Sequence, residues 1–71
     1  MLNTTVHLLL NGEKREIPAG TSIRELIEKL QLPADRVAVE CNRTIVRKEH
    51  WAATLVEDGW ALEIVTFVGG G

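Results

Sequence analysis

The 71-residue sequence contains a single cysteine, Cys41, which excludes an internal disulfide, and no CxxC pair or Cys/His cluster marks a metal site. A net positive charge is lacking as well. The formal net charge is −2, which removes any general attraction to nucleic acid or to an anionic membrane surface. Long apolar runs are missing: Leu8-Leu9-Leu10 is too short for the core of a signal peptide, and nothing approaches the ~20 apolar residues of a membrane span. The expected setting is a reducing, cytoplasmic one. No serine–histidine–carboxylate set stands out. The glycines at the end of the sequence do not form a phosphate loop, because no lysine accompanies them and no helix follows. What remains is one small domain with an ordinary 45% hydrophobic share.

Hydrophobic periodicity lays out that domain. Val6, Leu8 and Leu10 alternate with Thr5, His7 and Leu9, as in a strand with one buried face. Asn11-Gly12 tolerates the positive φ of a tight hairpin turn, so Glu13 to Ile17 is expected to return antiparallel, with Pro18-Ala19-Gly20 as the way out. Ser22 to Gln31 is the expected helix. Ser22 and Glu25 have capping-box spacing, and Ile23, Leu26, Ile27 and Leu30 make an apolar stripe. Glu25 and Lys29 sit one turn apart on the wet side, and Pro33 is the expected stop. Val37, Val39 and Cys41 then alternate inward on a third strand. Asn42-Arg43 turns into Thr44-Ile45-Val46, Arg47 to Trp51 reads as one irregular turn, and Leu55-Val56 as an apolar anchor. After the Asp58-Gly59 turn, Ala61 to Val68 is the last strand, with Leu62 and Ile64 facing in. The order predicts an α+β fold: a mixed sheet of four to five strands packed on one helix.

Few side chains suggest chemistry. His7 and His50 have no sequence-near ligand partners and read as surface or partly packed residues. Cys41 continues an inward alternation and reads as a buried structural thiol. Arg43, Arg47 and Lys48 make a small basic cluster that fits either a solvated turn or a partner contact. Trp51 and Trp60 fit lids over the core edge as well as contacts. More informative is the final stretch. If Leu62 and Ile64 face the core, Val65 and Phe67 alternate onto the side without a helix, where an apolar pair suggests docking. Beyond Lys48 there is no lysine or arginine, whereas Glu49, Glu57, Asp58 and Glu63 are acidic, so an acidic surround to the tail is expected to steer the domain toward a basic pocket. Gly69-Gly70-Gly71 is either a frayed end or the working part, a thread slim enough for a narrow channel.

Taken together, Leu10-Asn11-Gly12-Glu13, Gly20-Thr21-Ser22-Ile23 with Leu26-Ile27, Val37-Ala38-Val39-Glu40, Asn42 through Val46, Trp51, Asp58-Gly59 and Glu63 through Gly71 resemble the ThiS family of ubiquitin-like β-grasp proteins, the sulfur carriers of thiamin biosynthesis. Arg47 and Trp60 depart from the family pattern, which often has proline and an acidic residue there. The resemblance implies a β-grasp domain over residues 1–67, a flexible tail over 68–71, and a protein co-substrate instead of an enzyme, with no cofactor of its own. A ThiF-type adenylyltransferase would use ATP to activate the carboxylate of Gly71. A persulfide donor would convert it to a thiocarboxylate, and the thiazole synthase ThiG would take the sulfur. Gly69 and Gly70 would thread into the partner, while Val65, Phe67 and Val68 would grip it. A MoaD-like carrier for molybdopterin synthesis and an inert ubiquitin-like binding module are the alternatives.

Overall fold

A computed structural model describes residues 4–67. Five strands, β1 (Thr5–Leu10), β2 (Glu13–Pro18), β3 (Val37–Cys41), β4 (Thr44–Val46) and β5 (Ala61–Thr66), and one helix, α1 (Ile23–Lys29), carry the fold, with short 3-10 helices at Ala34–Arg36 and Lys48–Ala53. The sheet order is β2-β1-β5-β3-β4. Two antiparallel hairpins therefore lie on either side of β5, which runs parallel to β1 and antiparallel to β3. The expected α+β architecture, with its mixed sheet on a single helix, is the one observed.

Turn chemistry explains the hairpins. Asn11 (φ 51°) and Gly12 (φ 84°) both adopt left-handed angles, as the two central residues of a tight primed turn must. Asn42 (φ 48°) and Arg43 (φ 72°) do the same, although arginine lacks the conformational freedom that glycine brings to Gly12. β2 presents charged side chains along its length and buries only Ile17, and β4 is three residues long, so both sheet edges resist pairing with another chain.

The helix starts as expected. Ser22 is the N-cap: its hydroxyl accepts from the Glu25 N–H (3.1 Å), and the Glu25 carboxylate accepts from the Ser22 N–H (2.9 Å). Those hydrogen bonds, first the backbone one, hold the Glu25 carboxyl below its ordinary range. Glu25 is thus engaged with the cap, with Lys29 one turn on as a minor Coulombic neighbour, and the exposed i,i+4 ion pair is Arg24–Glu28 (3.4 Å). The end differs from expectation too. Gln31 adopts φ 57°, its N–H donates to the Glu28 carbonyl (3.0 Å), and the Leu32 N–H donates to the Ile27 carbonyl (3.2 Å). This is a Schellman cap, so the helix stops two residues before Pro33 has any influence.

Val6, Leu8, Leu10, Leu62, Ile64, Val37 and Val39 come from the covered sheet face and meet Ile23, Leu26 and Ile27 of α1. Trp51 closes one end of this core. It is buried, and its indole N–H donates to the Val46 carbonyl (2.9 Å), which satisfies its polar atom. Trp60 packs against the core edge and is only partly buried. Arg47 to Trp51, read as one irregular turn, belongs to a 3-10 helix over Lys48–Ala53 with Arg47 as its N-cap. Val56 is the anchor after it, whereas Leu55 points outward at 52% exposure while its backbone bridges to Ser22.

Candidate functional site

The sheet face opposite α1 carries the candidate site. Period-2 alternation along β5 buries Leu62 (0% exposed) and Ile64, and turns Glu63 and Val65 outward. Val65 (54%) and Phe67 (55%) are among the most exposed large hydrophobic residues described, as the alternation predicts. Val65 lies opposite Ala38 of β3, and the Phe67 N–H donates to the Arg36 carbonyl (2.6 Å), so the chain remains tied to the sheet one residue past the end of β5. Val68, Gly69, Gly70 and Gly71, the remaining predicted site residues, lie outside the described residues.

Beside Val65 the same face places Glu63 of β5 directly opposite Glu40 of β3, and Ile45 of β4 opposite Glu40 in turn, with Ile45 61% exposed. Two like charges in register cost about 0.2–1 kcal/mol relative to a neutral pair. A cation supplied from outside would remove that cost. The Glu40–Glu63 opposition was not legible in the sequence, because it depends on the β3–β5 register.

Asp58 and Glu57 are not where expected. Asp58 sits at the opposite end of β5 from the tail, where its Oδ1 accepts from the His7 N–H (2.7 Å) and lies 3.4 Å from His7 Nδ1. The backbone hydrogen bond from His7 holds the Asp58 carboxyl below its ordinary range. Glu57 lies near Cys41, which pairs with Leu62 toward the start of β5. The acidic residues are therefore divided in space: Glu63, with Glu40 from β3, belongs to the face around Val65, whereas Glu57 and Asp58 lie toward the start of β5.

The remaining polar candidates have structural roles. Cys41 is half-buried against the core; burial foremost, and then the nearby Glu57, push its thiol pKa up, away from thiolate reactivity. Of the basic cluster, Lys48 is paired with Asp35, and Arg43 forms the corner of the β3–β4 hairpin. His7 lies on the open face between the carboxylates of Glu16 and Asp58, each 3.4 Å away. Among the described residues no helix is long and apolar enough to cross a membrane.

Comparison with known proteins bears on this geometry. The ThiS family profile matches residues 8–71. A thiazole synthase of Paramagnetospirillum magneticum is 44% identical over 64 residues, covering 90% of this chain and 20% of that protein. The chain thus spans about a fifth of the length of the curated thiazole synthases it matches. The sulfur carrier protein ThiS of Escherichia coli is 30% identical over 66 residues, covering 93% of this chain and 100% of that protein. Among solved structures, the thiamine biosynthesis protein ThiS of Geobacter metallireducens superposes with a TM-score of 0.77 at 33% identity, covering 93% of this chain and 100% of that one. The fold is the β-grasp, and the chain belongs to the ThiS family.

Proposed function

We propose that the protein is a sulfur carrier for the thiazole moiety of thiamin, acting in the cytoplasm as a co-substrate and not as a catalyst. Sulfur travels on the carboxylate of Gly71. A free carboxylate repels nucleophiles and has no leaving group, so it must first be activated. In this reading a ThiF-type adenylyltransferase joins it to the AMP moiety of ATP, with pyrophosphate leaving. The terminal sulfur of a persulfide donor then attacks the acyl carbon and AMP departs. Cleavage of the resulting S–S bond by a thiol leaves a thiocarboxylate on Gly71 and a disulfide on the donor side. Thiazole synthase accepts that sulfur.

The observation that carries the reading is the pairing of an exposed apolar strand end, Val65 and Phe67, with the run Gly69-Gly70-Gly71 that follows. Burial of apolar side chains against a partner provides affinity. Glycines lacking a Cβ let the backbone enter a channel that would stop any other residue. The Glu40–Glu63 opposition gives a cationic group on the partner something to neutralise. The thiazole synthase relatives favour a thiazole client over a molybdopterin one.

Intact-protein mass spectrometry tests this. After incubation with activating enzyme, ATP and persulfide donor, the protein is expected to gain the mass difference between one sulfur and one oxygen. Deletion of Gly70 and Gly71 is expected to abolish the gain and leave the thermal transition in place. No mass gain in the intact protein overturns the proposal.

A further inference from the structure

β5 is flanked unequally. On the β3 side it is in register over five positions, from Cys41 opposite Leu62 to Val37 opposite Thr66. On the β1 side it is in register over two only, Leu9 with Ala61 and Leu10 with Leu62, because β1 ends where the chain turns at Asn11-Gly12. Ile64 would then lack a strand partner on that side. The Asn11 side chain takes the place of the missing strand: its Oδ1 accepts from the Ile64 N–H (2.7 Å) and its Nδ2 donates to the Ile64 carbonyl (3.2 Å). A carboxamide offers one acceptor and one donor side by side, as a peptide group does, so it continues the ladder by one rung. Asn42 does a related thing from the other flank, past the end of β3. Its Oδ1 accepts from the Ala61 N–H (3.0 Å), and its backbone N–H donates to the Ala61 carbonyl (2.9 Å).

Resting on the carrier reading, we infer that Asn11 and Asn42 are positioning residues whose side chains grip β5 from both flanks and hold in place the strand that carries Val65 and leads to Phe67. Ile64, held by Asn11, is one residue before Val65 on the strand that leads to the tail. A strand free to fray at Ile64 would present Val65 and Phe67 over a wider range of positions, and an adenylation step depends on the docked domain meeting the activating enzyme in one orientation. The two amides have different requirements. Asn11 uses both its acceptor and its donor, whereas the Asn42 side chain uses the acceptor alone. Aspartate supplies an acceptor and tolerates left-handed angles, but it has no donor for the Ile64 carbonyl.

That difference makes the test specific. Asn11→Gly, Asn11→Asp, Asn42→Gly and Asn42→Asp all keep residues compatible with the turns. Hydrogen exchange at the Ile64 and Ala61 amides, with Val39 as internal control, is measured beside the steady-state kinetics of adenylation by the activating enzyme. Asn11→Gly is expected to speed exchange at Ile64 about tenfold without changing Val39, the equivalent of one lost hydrogen bond, and Asn11→Asp, which keeps an acceptor for the Ile64 N–H but has no donor for the Ile64 carbonyl, to speed it less. They are also expected to lower kcat more than they raise KM. Asn42→Gly is expected to speed exchange at Ala61, and the conservative Asn42→Asp to rescue it. If Asn11→Gly retains wild-type exchange and kcat, Asn11 serves only turn geometry and the inference is overturned. Faster exchange at Ile64 with unchanged kcat overturns the positioning role as well. If the unaltered protein is not adenylated at all, it is the carrier reading that fails, and the exchange pattern alone then decides whether the grip on β5 exists.

Discussion

The two faces of the sheet use the same strands to opposite ends. On β5, Leu62 and Ile64 are buried under α1, while Glu63 and Val65, one residue along, stand in solvent. The covered face consists of aliphatic side chains that reward close packing. The open face holds Leu9, Val65 and Ile45 together with the opposed Glu40 and Glu63, a set that gains little from being where it is in the isolated domain. A residue chosen for folding is expected to be satisfied in the free protein. One chosen for a partner is left with something to gain, and the open face has that character.

Substitutions on neighbouring residues can break this contrast. Leu62→Ala, at the fully buried position, is expected to cost about 3 kcal/mol in denaturant unfolding, since the transfer term and the cavity add. Phe67→Asp is expected to leave unfolding nearly untouched and to weaken binding to the activating enzyme about tenfold, near 1.4 kcal/mol by titration; unchanged affinity would remove the open face from the interface. Glu63→Gln, beside Leu62 but facing out, is expected to raise stability by up to about 0.5 kcal/mol through relief of Glu40. A loss as large as that of Leu62→Ala would mean that the two faces do not differ as described.

The smallest effect concerns acid. The folded-state pKa of Glu25 is lowered from 4.5, so its contribution is fully present above about pH 4.5 and is lost as pH falls through the lower folded value. Glu25→Gln is expected to make the thermal midpoint fall less steeply with acid below that pH. The helix cap is then one place weakened by acid, and Asp58, held below its ordinary range by the His7 backbone N–H, is another.

Local rules carried well from sequence to structure, and non-local ones did not. The capping box of Ser22 and Glu25, the left-handed corners at Asn11-Gly12 and Asn42-Arg43, and the alternation that exposes Val65 and Phe67 are set by residues a few positions apart. Helix termination was misread because proline is a conspicuous stop signal, whereas a left-handed glutamine leaves no mark in the sequence. The side-chain grip of Asn11 on Ile64 spans 53 residues and could not be read from either segment. The same holds for the acidic residues after Lys48: adjacency along the chain says nothing about which end of a strand each one reaches. The docking role of Val65 and Phe67 rests on their exposure, and the glycines assigned the chemistry lie beyond the described residues.

The position of β5 between the two hairpins also bears on how the protein comes into being. Synthesis proceeds from the N-terminus, so β1–β2 and β3–β4 leave the ribosome first, and the strand that joins them is the last of the five. Until β5 enters the sheet, the hairpins have no common ladder, and Leu62 and Ile64 are missing from the core. Such non-local closure is slow compared with hairpin formation. A chain interrupted before β5 would lack the strand that joins the hairpins and two of the side chains that complete the core. The sheet is therefore complete only once β5 has joined the two hairpins.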